Sequence, residues 1–242
     1  MSGTSWKGKT ALVTGSTKGI GLAVAEALLN EGMNVAISAR TQEDVRAVVA
    51  ALEASHPKRL LGASCDVRSE QEVAALYRSI DETWGGLDVL VNNAGIGFFK
   101  KLEEMTLQEW NSILETNLTG VFLCTRAAIP RMRKRGGGYI VNMSSLAGRN
   151  AFPTATAYNT SKFGLNGLSE ALMQEVRYDG IRVTYLMPGS VNTYFNGKEP
   201  DPSAEWKIQP EDIGEIVVDL LRHPVRSLPS RVEIRPSQPP RK

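Results

Sequence analysis

Apolar residues along this chain fall into two patterns that take turns. Short apolar runs read as strands covered on both faces: Thr10 to Thr14, Asn34 to Ala39, Arg59 to Cys65, Val89 to Asn92, Tyr139 to Met143, Arg182 to Met187 and Arg231 to Ile234. Between them lie longer stretches with apolar residues every three or four positions, the signature of amphipathic helices. These cover Gly19 to Glu31, Thr41 to about His56, the stretch opened by Ser69, Thr106 to about Thr119, Val121 to Arg135, a stretch carrying Tyr158 that runs to about Tyr178, and Pro210 to Arg222. Start signals agree. Ser69 with Glu72 and Thr106 with Glu109 form capping boxes, Thr41 with Asp44 forms a poorer one, and Pro210 suits a first helical position. Strand-helix alternation predicts βαβ units and an α/β fold, a doubly wound, mostly seven-stranded parallel sheet with helices on both faces. The alternation is unbroken, so one domain is expected over residues 1–242. The exception is an irregular stretch at 190–207, placed to form a substrate loop.

Composition narrows the function. The chain has 242 residues, 42% of them hydrophobic, with 28 Lys plus Arg against 26 Asp plus Glu. A formal charge of +2 without a basic block gives no sign of nucleic-acid binding. The densest basic run, Arg131 to Arg135, precedes Gly136 and suits a helix C-terminus. Cys65 and Cys124 are too few for a disulfide framework or a zinc site, and both read as buried thiols; no metal site is expected. His56 and His223 lack partners at the spacing of a histidine triad. Met1 to Trp6 shows no apolar leader and no long apolar span occurs, so a cytoplasmic protein without a membrane partner is the expectation.

Chemistry enters at two places. Thr14-Gly15-Ser16-Thr17-Lys18-Gly19-Ile20-Gly21 joins the first strand to the first helix, where backbone N–H groups and the helix dipole can meet a pyrophosphate. Tyr158 and Lys162 stand one helical turn apart, with Cβ atoms about 5–6 Å from each other. An ammonium there favours tyrosinate. At ~6 Å and an effective dielectric of ~20, one charge supplies about 2.8 kcal/mol, or roughly 2 pKa units. A phenol useful near neutral pH needs about 3, leaving the remainder to hydrogen bonds or a cationic cofactor ring. The expectation is that Lys162 draws the Tyr158 pKa down.

Gly15, Gly19 and Gly21 are joined by Asn92-Asn93-Ala94-Gly95, Asn117, Ser145 thirteen positions before Tyr158, Lys162, and Pro188-Gly189. In this order and spacing the chain resembles the short-chain dehydrogenase/reductase family over nearly its whole length. Bacterial beta-ketoacyl-acyl-carrier-protein reductases and carbonyl reductases are the nearest in pattern. The resemblance implies a single-domain Rossmann fold and hydride transfer between a nicotinamide and a carbonyl or alcohol carbon. Tyr158 would be the proton donor, Ser145 would hold the carbonyl oxygen, and Lys162 would tune Tyr158 and hold the nicotinamide ribose. Asn117 would position a water in the proton relay, and Ser144 would be structural. Cofactor contacts implied are Gly15, Ser16, Thr17, Lys18, Gly19, Ile20 and Gly21, then Asp66 and Val67 at the adenine, and Asn93, Ala94 and Gly95 along the groove. Tyr158, Lys162, Pro188, Gly189, Val191 and Thr193 would meet the nicotinamide side.

Where an acidic residue would bind the ribose 2′-hydroxyl of NAD, this chain has Ala39, followed by Arg40, with Lys18 in the glycine loop. NADP(H) is therefore expected over NAD(H), unless Arg40 pairs with Glu43 or Asp44. Reduction of a ketone or 3-oxoacyl thioester is the leading reading. An NADP-dependent alcohol dehydrogenase running toward oxidation and a non-catalytic NADP-binding protein are its rivals. Phe98, Phe99, Leu146, Ala147, Phe152, Tyr194 and Phe195 are candidates for the substrate wall or for core. A homo-oligomer, dimer or tetramer, is expected on the helices Val121 to Arg133 and Tyr158 to Tyr178, with Gly164 and Ala171 allowing close approach. The family's Gly-rich C-terminal segment is replaced here by Arg231 to Pro240, which weakens the tetramer and the acyl-carrier assignment.

Overall fold

The computed structural model describes residues 5–240; Met1 to Thr4, part of the stretch read above for a leader, and Arg241 and Lys242 lie outside them. Seven strands form one parallel sheet: β1 (Thr10–Thr14), β2 (Asn34–Ala39), β3 (Leu60–Ser64), β4 (Val89–Asn92), β5 (Gly138–Met143), β6 (Ile181–Pro188) and β7 (Arg231–Ile234). Their order across the sheet is β3-β2-β1-β4-β5-β6-β7. The chain reverses direction of travel between β1 and β4, and the crevice at such a switch point is where ligands bind in open α/β sheets.

Side chains alternate along each strand, so two cores form, one on each face. Ala11 and Val13 of β1 face a core shared with Val89, Val91, Tyr139 and Val141. The helices α1 (Gly19–Asn30), α2 (Gln42–Glu53) and α7 (Pro210–Arg222) close it. Leu12, Leu90 and Ile140 face the other core, closed by α3 (Glu70–Trp84), α5 (Gly120–Lys134) and α6 (Thr156–Val176). Caps fall where their chemistry dictates. The Ser69 side chain accepts from the Glu72 N–H, Thr106 and Glu109 complete a capping box at α4 (Leu107–Leu114), and Pro210 opens α7. Thr41, whose box has Asp44 in place of Glu, makes no side-chain cap bond, and α2 stops at Glu53 rather than near His56.

One departure matters for the site. Instead of two helices meeting at Thr119, α4 runs into α5 through a wider π-helical turn, Glu115–Thr119, with Asn117 buried at its centre. Such turns open the backbone ladder and recur at functional sites. No helix among the described residues is long and apolar enough to cross a membrane.

Candidate active site

Ser145 lies two residues past the end of β5, and its Oγ accepts from the Ala147 N–H at 3.1 Å, fixing the start of a short 3-10 turn at Leu146–Gly148. Tyr158 and Lys162 occupy the first turns of α6 and are 8% and 6% exposed. Two asparagines of the same helix hold the Ser145 segment against it. Asn159 Nδ2 donates to the Ala147 carbonyl at 2.6 Å, and Asn166 Nδ2 donates to the Gly148 carbonyl at 3.0 Å. Asn166 Oδ1 also accepts from the Ser144 hydroxyl, which makes Ser144 the structural member of the Ser144-Ser145 pair.

The electrostatics reverse the expectation for Tyr158. Burial pushes its pKa up to about 12, against a smaller downward pull from the Ser145 hydroxyl. Lys162 Nζ lies 5.7 Å from the phenol ring centroid and donates to the Met143 carbonyl at 2.8 Å. Burial in turn pushes Lys162 down to about 8. An ammonium beside a phenol attracts the phenolate, but removing both groups from water costs more than that attraction returns.

Asn117 is held in place by its neighbours. Its carboxamide is engaged inside the protein: Oδ1 accepts from the Ile96 N–H at 2.8 Å, while Nδ2 donates to the Ile96 carbonyl at 2.8 Å and to Ser161 Oγ at 3.1 Å. Ser161 in turn donates to the Tyr158 carbonyl at 2.8 Å. The side chain thus ties the Gly95-Ile96 backbone to the Tyr158 turn. Ser161 has no counterpart in the sequence reading, because its partner lies on another element.

A cleft of about 320 Å³ runs over the switch point. Gly15, Thr17, Lys18, Ile20 and Gly21 line one side, with Asn93, Ala94, Gly95, Tyr158 and Lys162 on the other. The glycine turn leaves no room for side chains. A Cβ on Gly21 would stand 2.2 Å from the Gly15 carbonyl oxygen, and one on Gly15, at φ +64°, would stand 2.9 Å from Ala94 Cα. Asn93 Nδ2 clamps the turn by donating to the carbonyls of Thr14 and Gly15, and Thr14 Oγ1 accepts from the N–H groups of Asn93 and Ala94. α1 starts without a side-chain cap and without an acidic residue in its first turn, so its N-terminal dipole is left for an outside anion. These features fit a dinucleotide pyrophosphate.

Ser16 is the exception among the loop residues. It is fully buried, its Oγ donates to the Val13 carbonyl and accepts from the Ser38 N–H, and its own N–H donates to the Ser38 carbonyl. It belongs to the sheet. Gly19 lies off the cleft wall, pressed against Thr193: a Cβ there would meet Thr193 Oγ1 at 2.2 Å. At the far end Ala39, Arg40, Asp66 and Val67 line the cleft, joined by Thr41, Asp44 and Cys65, which the sequence reading did not assign to the cofactor groove. Arg40 and Lys18 are exposed and make no ion pair among the described residues, so the pairing of Arg40 with Glu43 or Asp44 is not formed. Asp66 is bound by Arg68, Oδ2 to Nη2 at 2.5 Å, which holds its pKa below the usual carboxylate range. The Cys65 thiol, buried, is pushed up to about 12.

A second cavity of about 490 Å³ opens on the Ser145 side. Ser145, Leu146, Ala147, Phe99, Phe152, Pro188, Gly189 and Val191 line it; Phe98 does not, and Tyr194 lines the first cleft instead. Tyr158, Thr193 and Phe195 line both spaces, so the phenol stands at their junction. The loop beyond β6 is pinned by Asn192, whose side chain exchanges two hydrogen bonds with the backbone of Asp201, and Asn196-Gly197 forms its turn with positive φ at both residues.

Residues 9–203 match the family profile described as short chain dehydrogenase. The chain belongs to the short-chain dehydrogenase family. Among curated relatives of this short-chain dehydrogenase is "dehydrogenase/reductase SDR family member 4" of Oryctolagus cuniculus, 41% identical over 88% of this chain and 79% of that one. "Dehydrogenase/reductase SDR family member 11" of Homo sapiens is 31% identical over 96% of each. The alcohol dehydrogenase of the archaeon Thermococcus sibiricus, solved with 5-hydroxy-NADP, superimposes with a TM-score of 0.90 at 29% identity, covering 98% of this chain and all of that one. A metagenomic short-chain oxidoreductase in complex with NADP gives 0.85 at 35% identity over 98% of this chain and 100% of that one. The protein is thus an oxidoreductase of this family whose structural neighbours hold NADP.

Proposed function

We propose that this protein is an NADPH-dependent reductase of ketones, with Tyr158 as its acid. The observation that carries the reading is the position of Tyr158 at the junction of the two cavities, with Lys162 on the cleft side and Ser145 on the other. The glycine turn and the α1 N-terminus would hold the pyrophosphate of NADPH, and Arg40 and Lys18 its 2′-phosphate. When bound, that cofactor supplies a hydride to the carbonyl carbon. The Ser145 hydroxyl donates to the carbonyl oxygen, and Tyr158 gives that oxygen its proton as negative charge grows there. A phenol with a pKa of about 12 is fully protonated at neutral pH, which is the state a reduction needs. Lys162, near 8, keeps its charge there and stabilises the phenolate left behind. Asn117 and Ser161 keep the Tyr158 turn in place.

Preference for NADPH over NADH is supported by Arg40 at the adenosine end, which makes no ion pair among the described residues, by Lys18 in the glycine turn, whose Nζ lies 5.3 Å over the Tyr194 ring, and by Ala39 where an acidic side chain would repel a phosphate. We also infer a homo-oligomer. Phe122 on α5 and Phe163 on α6 are 45% and 46% exposed on the helices expected to pair. Ala171 is exposed as that reading needs, whereas Gly164 serves its own chain, since a Cβ there would meet Leu118 at 3.1 Å. The chain is read as one domain. A screen of carbonyl compounds that follows loss of NADPH absorbance tests the function; NADPH binding without turnover of any of them would contradict it.

A further inference from the structure

Resting on the reductase reading, we propose that the substrate is an aryl ketone, with its ring seated among Phe99, Phe152 and Phe195 and its carbonyl at Tyr158. Phe99 and Phe152 are 38% and 43% exposed. Both rings line the second cavity, about 490 Å³, a space the substrate would share with the nicotinamide end of the cofactor along Pro188, Gly189, Val191 and Thr193. Bare aromatic surface around a concavity marks a place for an apolar ligand.

The rings form one connected set around the phenol. Phe99 meets Phe152 at 5.3 Å between centroids and Tyr158 at 5.9 Å, both edge to face. Phe195 lies 5.4 Å from Tyr158 and 6.4 Å from Phe99, tilted to each. These are the separations and angles that ring quadrupoles favour, and a further aromatic ring gains from them roughly two- to tenfold in affinity per pair beyond its buried area. A straight alkyl chain has no quadrupole and gains only area.

The cage is held by the fold. Gly97 lets Phe195 lie against Tyr158, because a Cβ there would stand 2.3 Å from Phe195 Cζ and 3.0 Å from Tyr158 Cδ2. The Lys100 N–H donates to the Thr154 carbonyl at 2.7 Å, joining the segment that carries Phe99 to the one that carries Phe152. Thr154 holds a left-handed φ of +67° to do so, a strained state for a β-branched residue of the kind that clusters at ligand sites. The charged side chains lining the cavity are Lys198, Glu199 and Lys207, on the loop that also carries Phe195.

The full chain with NADPH is tested on a phenyl alkyl ketone, a straight-chain 2-alkanone of equal carbon number and an acetoacetyl thioester. At least a tenfold higher kcat/KM for the phenyl ketone is expected. In Phe152→Leu and in Phe99→Leu the phenyl-to-alkanone ratio of kcat/KM should fall roughly two- to tenfold, with NADPH affinity, read by fluorescence, unchanged. Turnover of the alkanone or the thioester equal to that of the phenyl ketone, or an unchanged ratio in both variants, overturns the aryl assignment and leaves the reductase reading standing. No turnover of any carbonyl compound overturns both.

Discussion

Lys162 lies one helical turn from Tyr158, yet its ammonium donates to the Met143 carbonyl at 2.8 Å and meets the phenol ring 5.7 Å from its centroid. The site therefore carries a buried cation without a buried anion, and this costs stability. Below about pH 8 both folded and unfolded chains hold the Lys162 proton, and the cost of burying the charge is fully present. Between about 8 and the usual 10.5 only the unfolded chain holds it, so the contribution to stability rises with pH. Tyr158 works oppositely: its folded pKa of about 12 exceeds the usual 10, so stability is lost as pH climbs through that window.

Lys162→Met should accordingly be more stable at pH 7 by roughly 1–3 kcal/mol in urea unfolding, the desolvation relieved less the lost bond to Met143. The gain should shrink by pH 10. Activity should fall by about a hundredfold or more. A variant less stable than wild type at pH 7 would count against the buried charge.

The same ammonium sets a pH dependence. Because kcat/KM for the cofactor reports groups of the free enzyme, kcat/KM for NADPH should fall as pH rises through about 8, where Lys162 loses its charge. In Lys162→Arg that midpoint should disappear from the range below pH 10, even where the remaining activity is small, because a guanidinium keeps its charge there. An unchanged midpoint in that variant would assign it to another group.

Arg40→Ala should weaken NADPH binding about 10- to 100-fold, the range of one charge-assisted phosphate contact, and NADH binding by less than about threefold. Isothermal calorimetry with both nucleotides checks this. Equal losses would mean that Arg40 does not meet the 2′-phosphate.

Asn159→Ala removes a buried donor and leaves the Ala147 carbonyl without it, at a cost of about 1–3 kcal/mol. Because this bond ties the Ser145 segment to α6, kcat should drop about tenfold with NADPH affinity kept. Thermal unfolding and kinetics measured together separate the two effects.

Much of this was legible because local rules govern it. β1, β2, β4 and β7 fall on their predicted residues, since apolar runs bounded by turn residues leave little freedom, and α7 begins at Pro210 as its missing N–H requires. Helix spacing gave the nearness of Tyr158 and Lys162, whereas Ser145 beside them was implied by the family resemblance. What escaped were contacts between distant segments. Ser16 turns into the sheet because Ser38 offers a partner, Asn117 is claimed by Ile96, and Phe195 reaches Tyr158 only across Gly97. The sign of the Tyr158 shift escaped too, because desolvation depends on what the whole fold packs around the phenol, not on a neighbour four residues away.

The central claim is that Tyr158 supplies the proton, and Tyr158→Phe tests it most directly. The substitution removes one hydroxyl and keeps the ring. NADPH affinity within about twofold of wild type is expected, with ketone reduction lowered about a thousandfold, within the range for a lost general acid. Reduction at a rate close to wild type, with the cofactor bound, would contradict it.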